Sequence, residues 1–143
     1  MRYALLLISL LVTMPVYADD TSSIDSIVNA YYEVVSGPEG FIYDADRDTN
    51  IHADGALITK AFPDGRFQRH DLSTEQTMIP VPYDQAFFEY EVDRRIERYG
   101  NIAHVWSEFE MRTSPETEPY SGGFNSISLY LSLIHISEPT RPY

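Results

Sequence analysis

One arginine set inside an apolar stripe is the residue of this chain most able to do chemistry. Residues 87–113 form two alternating runs around Gly100-Asn101, a dipeptide suited to a two-residue turn. With that turn, paired residues have numbers summing to 201, so Ile96 faces Val105, Val92 faces Phe109 and Tyr90 faces Met111 on one side. Arg94 lies between Val92 and Ile96 on that same side, opposite Ser107. A guanidinium is costly to desolvate without a partner. Arg94 is therefore expected to hold a substrate carboxylate or enolate, to pair with an Asp or Glu of the N-terminal segments, or to snorkel at the rim. The other side carries Glu97 with His104, Arg95 with Trp106, Asp93 with Glu108, Glu91 with Glu110 and Glu89 with Arg112. A slip of one residue would exchange the two faces.

Further polar candidates surround this stripe. Asn125 alternates with Ile127 and Leu129, which puts it on an inner face with a hydrogen bond to offer, or makes it a cap for the glycines before it. Arg94, Asn125, Ser107, Tyr31, Tyr90 and Phe109 are the candidate ligand-binding set. His52 with Asp54, and His70 with Asp71, are imidazoles beside carboxylates, the pairing a general base needs. Asp44 and Asp46 with Tyr31, Tyr32, Tyr43 or Tyr90 supply an acid and a phenol for proton movement. The aromatics Tyr31, Phe41, Phe62, Phe67, Phe88 and Phe109 serve a core first and a ligand second. Asp44, Asp46 and Asp48 alternate, but the glycine and final glutamate of a calcium loop are missing, and no spacing fixes a metal geometry. With no glycine-rich phosphate loop and no nucleophile elbow, no cofactor is implied.

The elements that position these residues are read from period and punctuation. Ser22 with Asp25 opens a helix over residues 19–36, whose Ile24, Ile27, Val28, Tyr31, Val34 and Val35 make one apolar stripe, ended by Gly37-Pro38. Residues 41–52 read as a short helical or irregular segment. Residues 56–62 are strand-like, Pro63-Asp64-Gly65 is a turn, and residues 67–70 return antiparallel. Ser73 with Gln76 starts another short helix, stopped by Pro80 and Pro82. After the long hairpin, a polar loop over residues 113–121 leads through Gly122-Gly123 into a strand over residues 124–130.

Both ends read as segments outside the domain. Arg2, the apolar run over residues 4–12 and Val16-Tyr17-Ala18 form the pattern of a signal peptide cleaved after Ala18, too short to span a bilayer comfortably. The chain has no cysteine, which excludes disulfides and a lipidated cysteine anchor. A secreted or periplasmic domain, free of the membrane after cleavage, is expected. Residues 131–143 (LSLIHISEPTRPY) resemble the conceptual translation of a sequencing-library adapter, so His135, Glu138 and Arg141 are expected to carry no function. Between these ends lies one small domain, residues 19–130, with a single core. Of ten basic and 22 acidic residues it keeps eight and 21, a formal charge of −13. Such acidity repels phosphate backbones and anionic membranes, so no nucleic-acid partner is expected.

Two or so helices followed by a long antiparallel sheet, with IAHVWSEFEMR at residues 102–112 and GFNSISLY at residues 123–130, resemble the nuclear transport factor 2-like superfamily. Its SnoaL-like polyketide-cyclase and limonene-epoxide-hydrolase-like branches are the most similar. None of these stretches is a catalytic signature, so the resemblance implies fold more firmly than activity. It implies an α+β cone in which a curved sheet wraps the N-terminal helices around a pocket, and frequent dimers through the sheet's outer face, where Trp106 stands among charges. In this family one more strand usually follows the GFNSISLY-like strand, and its loss would leave unpaired ladder edges and an unstable chain. Three functions follow: a pocket for a small apolar molecule bearing one polar group; an isomerase, cyclase or hydrolase using a pocket acid or His with Arg94 or Asn125; or an interaction module working through the sheet face.

Overall fold

The computed structural model describes residues 19–131; the expected signal peptide and the tail from residue 132 lie outside the described residues. The described residues form an α+β arrangement with three helices, a two-stranded and a three-stranded antiparallel sheet. The order is α1 (Ile24–Val35), α2 (Ala45–Asn50), β1 (Leu57–Ala61), β2 (Phe67–Asp71), α3 (Leu72–Thr77), β3 (Phe88–Tyr99), β4 (Ile102–Arg112) and β5 (Ser121–Tyr130).

Helix α1 starts one residue later than its capping pattern suggested. Ser23, not Ser22, is the N-cap, and its hydroxyl accepts from Ser26 N–H at 2.9 Å. The helix buries two faces rather than one stripe. Val28 and Tyr32 pack with Val105, Phe109, Ile127 and Leu129 of the long sheet. Ala30 and Val34 pack with Tyr43, Ile51 and Tyr83 from the segments that follow. A helix gripped from both sides must be apolar most of the way round. Its end is sealed by the Tyr83 hydroxyl, which donates to the Val35 carbonyl at 2.8 Å. Gly37 then allows a close approach no side chain would permit, since a Cβ there would meet the Phe41 ring at 2.2 Å.

Helix α3 is capped by Asp71, whose carboxylate accepts from Thr74 N–H, so Ser73 lies inside the helix instead of starting it. Strand β5 begins at Ser121, three residues before the expected start, because Ser121, Gly122 and Gly123 already pair with Met111, Glu110 and Phe109. Leu131 N–H continues the pairing by donating to the Asn101 carbonyl at 2.8 Å.

The long hairpin keeps the expected register at its tip and loses it below. From Tyr99↔Ile102 through Asp93↔Glu108 the paired numbers sum to 201, with Arg94 opposite Ser107. A bulge then falls between Glu91 and Asp93, leaving Val92 unpaired, and from Glu91↔Phe109 to Phe88↔Arg112 the sum is 200. Every side chain below the bulge therefore changes face. Tyr90 and Val92, expected inside, are exposed on the face away from α1, with Tyr90 stacked on Phe88. Glu89 and Glu91, expected outside, turn toward the helix. Distant contacts fix this offset: Phe87 exchanges backbone hydrogen bonds with Gly37, and Glu89 exchanges them with the Ser36 hydroxyl.

Candidate functional site

The bulge concentrates polar groups on the helix-facing side of the sheet. Ser107 is fully buried and lies between Tyr32 of α1 and Glu91 of β3. Its single proton goes to the Glu91 carboxylate, so the Tyr32 hydroxyl, 2.6 Å away, must donate to Ser107 Oγ. Asn125 Nδ2 in turn donates to Tyr32 Oη at 3.1 Å and to Glu89 Oε1 at 3.2 Å. One directed chain of hydrogen bonds thus runs from Asn125 through Tyr32 and Ser107 to Glu91, with Glu89 held at its other end.

Arg94 closes the Glu91 end. Its Nε donates to both Glu91 oxygens at 2.9 and 3.0 Å, one terminal nitrogen reaches Asp25 of α1 at 2.5 Å, and the other donates to Asn29 at 2.9 Å and to Glu91. The Arg94 and Glu91 side chains keep only 14% and 16% of their surface exposed. Arg94 thus makes ion pairs with Asp25 of the N-terminal helix and with Glu91 of its own strand. Hydrogen bonding to Glu91 holds its guanidinium even more firmly protonated than usual.

The Glu89 end is different in kind. Burial pushes the Glu89 carboxyl above the ordinary carboxylate range, and only Asn125 hydrogen-bonds it; no cation touches it among the described residues. Beside it sits Tyr31, whose phenol is pushed strongly upward by burial and by the field of Glu89, Tyr32, Asp48 and Glu75. The Tyr31 side chain is half-buried, and its hydroxyl makes no hydrogen bond within the described residues, where it is open to solvent. Tyr32 is also raised, mainly by desolvation, against the lowering effect of its bonds to Ser107 and Asn125.

Two imidazoles flank this acidic interior with partners other than the neighbours in sequence. His52 Nδ1 lies 2.7 Å from the Asp48 carbonyl and 3.5 Å from its carboxylate, one helical turn back, while Asp54 is exposed in a turn. The buried Asp48 carboxylate also accepts from the Tyr43 hydroxyl and from Gln76 Nε2 at 3.0 Å. The ring of His52 stands edge-on to Tyr31, with centroids 6.3 Å apart. His70 Nδ1 meets Glu75 Oε2 at 3.0 Å, and Lys60, the only lysine, holds the other oxygen of that carboxylate. Asp71 is spent on capping α3. Desolvation raises Glu75, but the hydrogen bonds from Lys60 and His70 outweigh it and hold the carboxyl below its usual range.

Of the remaining candidates, Phe109 packs beneath Tyr32 and Val28, and Asp44 is an exposed N-cap for α2, accepting from Arg47 N–H at 2.9 Å. Tyr90 is on the opposite face of the sheet. The structure therefore brings Arg94, Ser107, Asn125, Tyr31 and Phe109 to one side and leaves Asp44 and Tyr90 apart. No cluster suited to a metal ion occurs among the described residues. Glu89 and Glu91 were missed because plain alternation sends them outward. The available signal was the Glu91–Glu110 pair, since like charges opposite each other are a strained arrangement that a shift of register relieves.

A scan against family models and searches against curated proteins and solved structures return no match for this chain.

Proposed function

We propose that the chain is an exported, nuclear transport factor 2-like domain that binds a small, largely apolar molecule against the helix-facing side of its long sheet. The molecule's one polar group is received at Tyr31, Glu89 and Asn125. The observation that carries this reading is the grouping of Tyr31, Asn125 and Glu89, where a solvent-reaching phenol with no partner among the described residues lies beside a carboxyl that Asn125 holds and burial has made reluctant to ionise. A phenol with no protein acceptor is free to donate to a ligand oxygen. The order of elements, with α1 packed on β4 and β5, is consistent with the family resemblance. Ligand-detected NMR with a library of small ketones, lactones and amides tests the reading. Binders are expected whose signals are lost in Tyr31→Phe and Glu89→Gln but kept in Asp44→Asn. A wild-type chain that binds none, or binders indifferent to both substitutions, would overturn it.

A second reading is favoured by Glu89 alone. A carboxyl whose proton affinity burial raises, against the lowering effects of Asn125 and the more distant Lys60, suits a general acid–base role. The reaction class would be proton transfer at a carbon next to a carbonyl, with Tyr31 donating to the oxygen as charge develops. Solvent deuterium incorporation into a bound ketone, abolished by Glu89→Gln with binding retained, would select the enzyme over the carrier.

A further inference from the structure

We propose that the face of the long sheet turned away from α1 is a docking groove for an extended basic segment of a partner protein. An arginine or lysine side chain of that segment lies over Trp106 and Phe124 and against Asp93 and Glu108. These residues, with Arg95, line a shallow concavity of about 390 Å³. Trp106 and Phe124 are 46% and 69% exposed, a large aromatic surface to leave in water. The indole is braced edge-on by His104, with ring centroids 4.9 Å apart.

Charge selects the occupant. Four carboxylates and two guanidiniums of β3 and β4 share this face. Arg95 is turned to Glu97, and Arg112 holds Glu110 at 2.6 Å. Asp93 and Glu108 are left over. They stand directly opposite each other in the ladder, both exposed, with no ion pair or hydrogen bond among the described residues. Like charges in that position repel, whereas a cation laid on the neighbouring aromatic faces answers both carboxylates at once. A second copy of this chain, formal charge −12, would bring two more uncompensated carboxylates to the same contact. The extended form of the segment follows from β5. That strand carries no charged residue, and its side away from β4 makes no backbone hydrogen bond among the described residues, so a strand can add beside Phe124.

Trp106 is the only tryptophan, so its fluorescence reports on this groove alone. The probe is an acetylated, amidated peptide of alternating arginine and threonine, with an alternating glutamate–threonine peptide as control. The full chain is expected to show a saturable change in Trp106 emission with the basic peptide only. Asp93→Asn with Glu108→Gln should weaken binding roughly tenfold, while Glu39→Gln with Asp54→Asn, an equal change in net charge elsewhere, leaves it unaltered. Equal weakening by both variant pairs would reduce the effect to bulk charge and overturn the proposal. So would undiminished binding by the first pair, or sedimentation showing a dimer that already covers Trp106.

Discussion

Glu89 and Glu91 stand two residues apart on the same face of the same strand, in opposite electrostatic circumstances. Glu91 is enclosed with a guanidinium, a serine hydroxyl and, through Arg94, the N-terminal turn of α1. Glu89 is enclosed with an amide and two phenols, and its carboxyl is pushed upward by burial. A compensated buried charge locks one element to another and has nothing left to offer a ligand. An uncompensated one costs stability and keeps its chemistry available. The pair therefore separates what holds this fold together from what the fold holds ready.

The comparison breaks most visibly at Arg94. Arg94→Met leaves Glu91 buried without its counter-charge and unties β3 from Asp25 and Asn29, an expected loss of about 3 kcal/mol in chemical denaturation. Adding Glu91→Gln removes the orphaned charge, so the double variant should recover part of that loss. A double variant worse than the single would mean that the two side chains do not act as one unit.

At Glu89 the expected sign reverses. Below the ordinary carboxylate range the side chain is neutral in folded and unfolded chains alike, and its contribution to stability is intact. As pH rises through its raised folded-state pKa, the folded chain must bury a charge and that contribution is lost. Glu89→Gln should therefore melt a few degrees higher than the wild type at about pH 8 and converge with it near pH 4. A stabilisation that persists unchanged into acid would show that ionisation of Glu89 is not its source.

How much of this was legible in the sequence depends on how local the determinants are. The Gly100 turn, with φ of 56°, and the ladder from Tyr99 to Asp93 follow from turn chemistry and alternation. The apolar run of Phe88, Tyr90 and Val92 pointed the wrong way because what orients it is remote. Ser36 and Gly37, some fifty residues earlier, grip Glu89 and Phe87. The carboxylates of His52 and His70 were likewise misassigned to sequence neighbours. A helical turn brings Asp48 under His52, and α3 folds Glu75 back onto His70. The unpartnered Tyr31 and the relay through Ser107 exist only once α1 lies on the sheet, so no window of sequence displays them.

The smallest effect is expected from the least intuitive change. Val92 is the surplus residue of the bulge, exposed and unpaired, so deleting it would join Glu91↔Phe109 directly to Asp93↔Glu108 in an unbroken ladder. Both glutamates would keep facing α1, and only the local twist would relax. Hydrogen exchange should then show the amides of β3 as protected as before on both sides of the deletion. Were the surplus residue elsewhere in β3, the same deletion would instead turn one half of the strand over and carry Glu89 and Glu91 into solvent. Loss of the Tyr32–Ser107–Glu91 relay, seen as rapid exchange in β3 and a collapse of stability, would therefore place the offset somewhere other than Val92.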